Sequence, residues 1–212
     1  MKRTGTLIAL LFLLAFTVPS FAAVTIDFGT GLAGEGGTFT LGNGTNGVPA
    51  GQATGTGIPI GAMTISGLTG AYAADNGVYT VTGGTLAFNT VTSTISVAGS
   101  VTIAGPTPGT VTGTLLSGSI TSFTASANGL TNASGPDTKN ASLLTDLGLT
   151  NQIFSYFGFS LTTNGVDANG QGTVISTDIR NDGVPEPGSI ALFGTALLGC
   201  GAILRRRRAA NR

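Results

Sequence analysis

The sequence predicts an all-β protein: a single antiparallel β-sandwich-like domain between an N-terminal signal peptide and a C-terminal transmembrane helix. Three observations carry this reading. Between the two ends Thr, Val, Ile, Ser and Gly dominate, a composition that suits strands better than helices. Turn dipeptides recur through the same region, at Asn76-Gly77, Gly83-Gly84, Asn128-Gly129, Asn164-Gly165 and Asn169-Gly170. Each end, by contrast, is an apolar run beside clustered positive charge.

At the N-terminus Lys2 and Arg3 precede the apolar run Leu7–Phe16, and Pro19 breaks it before a small-residue site. Ser20 and Ala22 suit signal-peptidase cleavage between Ala22 and Ala23; cleavage one residue later would place bulky Phe21 where a small side chain is needed. The run is shorter than the ~20 residues a spanning helix requires. Residues 1–22 are therefore read as a signal peptide and residues 23–183 as the exported domain.

Within that domain the clearest strand is Thr90–Val97. Val91, Ile95 and Val97 share one face, while Thr90, Thr92, Thr94 and Ser96 share the other. Val101 and Ile103 resume after Gly99-Ser100, which predicts a hairpin there. Further strands are expected at Val24–Phe28, Thr38–Leu41, Met63–Ser66, Val78–Val81, Thr85–Asn89, Thr110–Leu116, Ile120–Ala127, Tyr156–Thr162 and Thr173–Ile179. Pro59 demotes Gly57–Ile60 to an edge strand. Gly42–Gly57 reads as a long loop. Ser142–Leu149 is the one helical segment, with Leu143, Leu144 and Leu147 on one side and Gly148 as its stop. Many short antiparallel strands with Gly-rich turns make a sandwich or a related barrel. Val91, Ile95, Val97, Val101, Ile103, Leu115, Phe157, Phe159 and Leu161 are expected to face its core.

The chain closes with a three-part segment. Pro185 and Pro187 bracket Glu186, an apolar stretch runs from Ser189 to Leu204, and Arg205, Arg206, Arg207 and Arg208 follow. Each arginine costs about 2.5–3.5 kcal/mol at a bilayer centre, so translocation stops there with the tail in the cytoplasm. As an α-helix the ~17 residues from Gly188 to Leu204 would reach about 25 Å, at the low end of spanning lengths. Ala191, Thr195 and Gly199 lie on one helical face as a small-xxx-small pattern, either a helix-packing surface or filler in a short span. This order of motif, apolar helix and arginine cluster resembles the PEP-CTERM sorting signal of exported bacterial proteins, over residues 184–208, and leaves residues 209–212 as a cytoplasmic tail. The resemblance implies recognition by a membrane protease of the exosortase family. It also implies association with exopolysaccharide or biofilm production in Gram-negative bacteria. No Leu-Pro-x-Thr-Gly precedes the apolar run, which disfavours a Gram-positive wall-sorting signal, and the arginines disfavour a glycolipid-anchor signal.

Charge and cysteine content narrow the function further. The chain holds nine bases and nine acids, but most of the bases lie in the two terminal segments. The domain itself keeps only Lys139 and Arg180 against Asp27, Glu35, Asp75, Asp137, Asp146, Asp167, Asp178 and Asp182. Without a basic patch it cannot neutralise phosphates, so nucleic acid is not an expected partner. Cys200, the single cysteine, sits in the apolar run, so the domain can form no internal disulfide and must be held by its own core.

Several motifs invite a catalytic or ligand-binding reading. Gly29-Thr30-Gly31-Leu32-Ala33-Gly34 matches the dinucleotide-binding pattern literally, yet it runs into a Gly-rich segment and a strand rather than a helix. Asp167-Ala168-Asn169-Gly170, Asp75-Asn76-Gly77 and Asp182-Gly183 resemble the start of calcium loops but lack the closing acid, and they read as turns. The chain has no histidine, which removes His-based nucleophile activation and His-ligated metals. Lys139 follows Gly135-Pro136-Asp137-Thr138, which reads as an exposed turn. Scattered acids permit some carboxylate pair, and the absence of Trp removes the usual sugar-stacking platform. Sequons at Asn43, Asn132 and Asn140 occur in Asn/Thr-rich sequence and carry little meaning in a bacterial exported protein. No catalytic, cofactor or metal residue is expected.

Two functional readings follow. In the first, the chain is a structural or interaction protein of the cell envelope or extracellular matrix. It passes through the inner membrane, is processed by signal peptidase, is held transiently by one C-terminal span, and is then released to the surface or medium by an exosortase. In the second, it is a permanently anchored ectodomain with a binding or hydrolytic role.

Overall fold

Eleven antiparallel strands form a single sheet in the computed structural model, which describes residues 23–183 apart from Ser155. They are β1 (Thr25–Gly29), β2 (Gly36–Leu41), β3 (Ala53–Ser66), β4 (Gly77–Asn89), β5 (Thr94–Ile103), β6 (Gly109–Ser119), β7 (Ser122–Ser126), β8 (Gly129–Gly135), β9 (Asp137–Lys139), β10 (Phe157–Thr163) and β11 (Gln171–Asp182). One short helix, α1 (Ala141–Asp146), joins β9 to β10. The all-β, antiparallel expectation holds.

Three interruptions conceal a simpler plan. β1 and β2 both pair with β3 on one side and β11 on the other, so together they are one strand broken at Thr30–Glu35. β6 and β7 are likewise continuous across Ile120-Thr121, and β8 and β9 across Pro136. These two long strands form one hairpin: β7 pairs β8 and β6 pairs β9. Ser119 N–H donates to Pro136 O at 2.9 Å and Thr121 N–H to Ser134 O at 2.8 Å, carrying the ladder across the breaks. Gly135 lies at this seam because a Cβ there would collide with Ser119 O. With the breaks bridged, the strands run up and down in chain order, each pairing with the next, and β11 returns to pair with β1 and β2. The ring is closed, and its walls share one core.

That core follows from period-2 alternation. In β10 every second residue is buried, Phe157, Phe159, Leu161 and Thr163, and the residues between them are exposed. Ile26 and Phe28 of β1, Ile95, Val97, Val101 and Ile103 of β5, Leu115 of β6 and Ile179 of β11 all join them. Phe39, Phe88 and Phe159 stack inside, with ring centroids 6.4 Å apart for the first pair and 5.3 Å for the second. Each such side chain removed from water contributes about 1.5–3 kcal/mol, which is how a domain without disulfides holds together.

Several expectations need correction. Val91 is 49% exposed, because Thr90–Ser93 is a turn and β5 begins only at Thr94. Asn89 Oδ1 accepts the N–H groups of Val91 and Thr92, and Ser93 takes a left-handed φ of 56°. Thr90 is instead buried, its hydroxyl bonded to Ala53 and Gln52. There is no hairpin at Gly99-Ser100: β5 runs straight through, with a register shift between Val97 and Ala98. Gly83-Gly84 likewise sits inside β4. Pro59 does not make β3 an edge strand, since β3 pairs β4 on one side and β1 and β2 on the other. It lies in the stretch between Thr56 and Ala62 that faces the break between β1 and β2, so its missing N–H interrupts no ladder on that side. The expected loop from Gly42 is shorter, because β3 already starts at Ala53.

The two poles differ. At one, the links β2–β3, β4–β5, β7–β8 and β10–β11 turn the chain back. At the other, residues 67–76, 104–108 and 140–156 cover the end of the ring. Thr107 Oγ1 donates to Asp146 O at 2.8 Å, Gly148 packs on the Tyr72 ring, and Gly105 packs on the Asp75 carboxylate. In α1, Asn140 caps the helix by accepting from Ser142 and Leu143 N–H, and Gly148 (φ 67°) lets the chain turn away after it.

Introducing a charge on either side of one strand separates core from surface. Ile95→Asp should abolish cooperative unfolding, whereas the exposed neighbour change Thr94→Asp should alter stability by no more than about 0.5 kcal/mol. Denaturant titration followed by circular dichroism reads both, and equal effects would contradict the alternation.

Candidate functional site

Both ends of the described chain emerge at the covered pole, side by side. Thr25 faces Asp182 in the β1–β11 pair, and one step further Gly183 N–H donates to Val24 O at 2.6 Å. Ala23 is exposed, while Gly183 is buried. The last hydrogen bond of the ring is thus made by the residue from which the C-terminal segment departs. Of the residues expected to act in processing, only Ala23 falls among those described. Ala22, Pro185, Glu186, Pro187 and Arg205 to Arg208 lie outside them, as does the expected C-terminal span. Among the described residues no helix is long and apolar enough to cross a membrane.

An acidic group lines the outer face of the same strand pair. Asp27 lies opposite Arg180, flanked diagonally by Asp178 and Asp182. Burial, then a hydrogen bond and the like charge of Asp178, push the Asp27 carboxyl up from 3.8 to about 7; Arg180 opposes this. Arg180 Nε instead reaches Asp182 Oδ1 at 3.1 Å, and Thr25 Oγ1 donates to the same oxygen at 2.8 Å. The Arg180–Asp182 pair is more than half exposed and contributes little to stability.

Directly inside lies a buried polar cluster that the sequence did not announce. Lys139, expected in an exposed turn, is on β9 with its side chain sealed from solvent, and its Nζ donates to Asp137 Oδ2 at 2.6 Å. Asn181, fully buried on β11, donates its Nδ2 to the same Asp137 Oδ2 at 3.0 Å and to Tyr156 O at 3.2 Å. The Phe154 ring lies over the lysine, 4.8 Å from Nζ to its centroid. Burial pushes the Asp137 carboxyl up and the Lys139 amine down, each against the pull of the other.

The motifs that invited ligand readings have structural roles. Of this motif Gly29 ends β1 and Thr30 to Gly34 lie in the break before β2, closed by Thr30 O accepting from Gly61 N–H at 3.0 Å. Gly31 has a φ of 53°, and a Cβ on it would lie 2.7 Å from that of Ala62; the glycine is needed for close strand approach. No helix follows to hold a phosphate. Asp167 Oδ1 accepts the N–H groups of Asn169 and Gln171, both at 2.9 Å, so it ties its own turn. Those backbone bonds hold its carboxyl below the usual range.

A family model described as the PEP-CTERM protein-sorting motif matches residues 183–208. This segment, which begins where the ring's hydrogen bonds end, is the signal of exosortase-dependent sorting of an exported protein. No curated protein and no solved structure matches the chain.

The raised Asp27 carboxyl has a consequence for stability. The folded state keeps this proton up to about pH 7, whereas an unfolded carboxyl releases it near its ordinary value. Its contribution is therefore complete below that ordinary value and is lost as pH rises through about 7. Asp27→Asn should melt higher than wild type at about pH 8, with the difference vanishing towards about pH 4. Thermal melts across that range read it; a difference independent of pH would contradict the assignment.

Proposed function

We propose that the chain is an exported structural or interaction protein of the cell envelope or extracellular matrix, not an enzyme. It is delivered by an N-terminal signal peptide cut between Ala22 and Ala23. It is held briefly by one C-terminal span ending at Arg205 to Arg208, then released by an exosortase that reads Pro185, Glu186 and Pro187. The observation that carries this reading is the junction. The sorting motif starts at the residue that makes the ring's last hydrogen bond, so the folded domain leaves only Val184 between its buried end and Pro185. A protease that reads this motif therefore cuts close in sequence to the last residue of the folded ring.

The surface favours a matrix role over a catalytic one. Apart from the Asp137–Lys139–Asn181 cluster, the inside of the ring is occupied by aliphatic and aromatic side chains, whereas the outside presents rows of hydroxyls. Ser100 pairs with Thr112 and Thr102 with Thr110, each at 3.0 Å across β5 and β6. Such a face, nearly free of charge, offers donors and acceptors to a neutral or acidic exopolysaccharide without the repulsion a charged wall would bring.

A bare anchor would be indifferent to a residue outside the bilayer; a protease site would not. The prolines keep the motif extended and deny it two backbone donors. In a host with the matching exosortase, wild type should appear at the surface or in the medium, starting at Ala23 and lacking Arg205 to Arg208. Glu186→Ala or Pro187→Ala should remain in the inner membrane at full length after Ala23. Fractionation with mass measurement of both ends decides it. Surface material that retains the arginines would instead favour the permanently anchored ectodomain.

A further inference from the structure

We propose that Lys139 and Asn181 become joined by a side-chain amide bond that the protein forms unaided, with Asp137 carrying the proton. The lysine amine and the asparagine carboxamide both donate to one oxygen, Asp137 Oδ2, at 2.6 and 3.0 Å. The two nitrogens therefore lie no further apart than those two bonds allow. The orientation of the carboxamide is determined by its neighbours: Asp137 Oδ2 and Tyr156 O both require a donor, so Nδ2 faces them. Amine, carboxamide and carboxyl are thus gathered in one sealed place before any reaction, the arrangement in which proximity does most for a slow acyl transfer.

A purely structural ion pair accounts for this cluster poorly. Buried charges are expected to have their remaining hydrogen-bonding capacity filled, yet Asp137 Oδ1 and Asn181 Oδ1 are both buried without a partner. In the proposed reaction Asn181 Oδ1 is the carbonyl oxygen that takes up negative charge on attack, and the Asp137 carboxyl is the acid beside the leaving Nδ2. Burial favours the neutral amine and the neutral acid, the two forms the chemistry needs. Phe154 and the loops above exclude the water that would otherwise compete with the amine.

The step balances without any co-reactant. The Nζ lone pair attacks Cγ of Asn181, forming the new C–N bond. Asp137 accepts a proton from Nζ and returns one to Nδ2, and the Cγ–Nδ2 bond breaks to release ammonia. No atom changes oxidation state, and the carboxyl is regenerated. The product ties β9 to β11, the strand whose next residues form the sorting motif. A domain that can make no disulfide would thereby gain a covalent brace where the membrane tether pulls.

Trypsin supplies a direct test, because Lys139 and Arg180 are the only bases between Thr4 and Leu204. The full chain is folded, fully denatured, digested with trypsin and analysed by mass spectrometry. Wild type should resist cleavage after Lys139. The fragment that starts at Asn181 should remain attached to the one containing Lys139, and the linked product should be lighter by one ammonia. Asn181→Ala and Asp137→Asn should each restore complete cleavage after Lys139, with no mass deficit. Wild type cut after Lys139 into separate fragments of full mass overturns the proposal, whether or not the variants fold. A deficit of one water mapping to Asp137, or a block that survives Asn181→Ala, overturns it as well.

Discussion

The return of β11 to β1 and β2 is the constraint on which the rest of this domain depends. A meander of this length with free ends would expose two rows of unpaired N–H and C=O groups, a template for association with other copies. Closing the ring removes both edges at once. It also allows each strand to bury one face and wet the other, which is the alternation seen from Ile26 to Ile179. An exported domain that can form no disulfide gains most from such closure.

The same pairing places the two termini. Because β1 and β11 are antiparallel neighbours in register from Thr25–Asp182 to Gly29–Asp178, the start of the exported domain and the start of the sorting motif leave from one pole. The sorting motif begins in sequence at the residue whose N–H closes the β1–β11 ladder, and Asn181 with the buried cluster lies two residues before it. The interruption at Thr30–Glu35 belongs to this plan, since it lets one strand bridge β3 and β11 in two segments.

Much of this was legible in the sequence, and the failures have physical causes. The C-terminal sorting motif could be read because its residue order, apolar length and charge act locally, without a fold. Strands such as β10 could be read because Phe157, Phe159 and Leu161 alternate cleanly. Val91 misled because the alternation ran on by chance into a turn that Asn89 caps. The long strand made of β8 and β9 was invisible: its inward positions include Gly135, Asp137 and Lys139, which carry no apolar signal, and Pro136 breaks the run. For the same reason the buried cluster could not be anticipated, since Lys139 meets Asn181 only when the ring has closed. The closure itself pairs residues from opposite ends of the domain, and no local pattern encodes that.

Amide hydrogen exchange on the full chain tests the closed ring most directly. If β11 is hydrogen-bonded on both sides, amides from Thr177 to Asn181 and from Ile26 to Phe28 should exchange as slowly as those in the middle of β3 and β4, near the limit set by global unfolding. Rapid exchange confined to β1, β2 and β11, with β3 to β6 still protected, would mean an open sheet with frayed edges and would contradict the account.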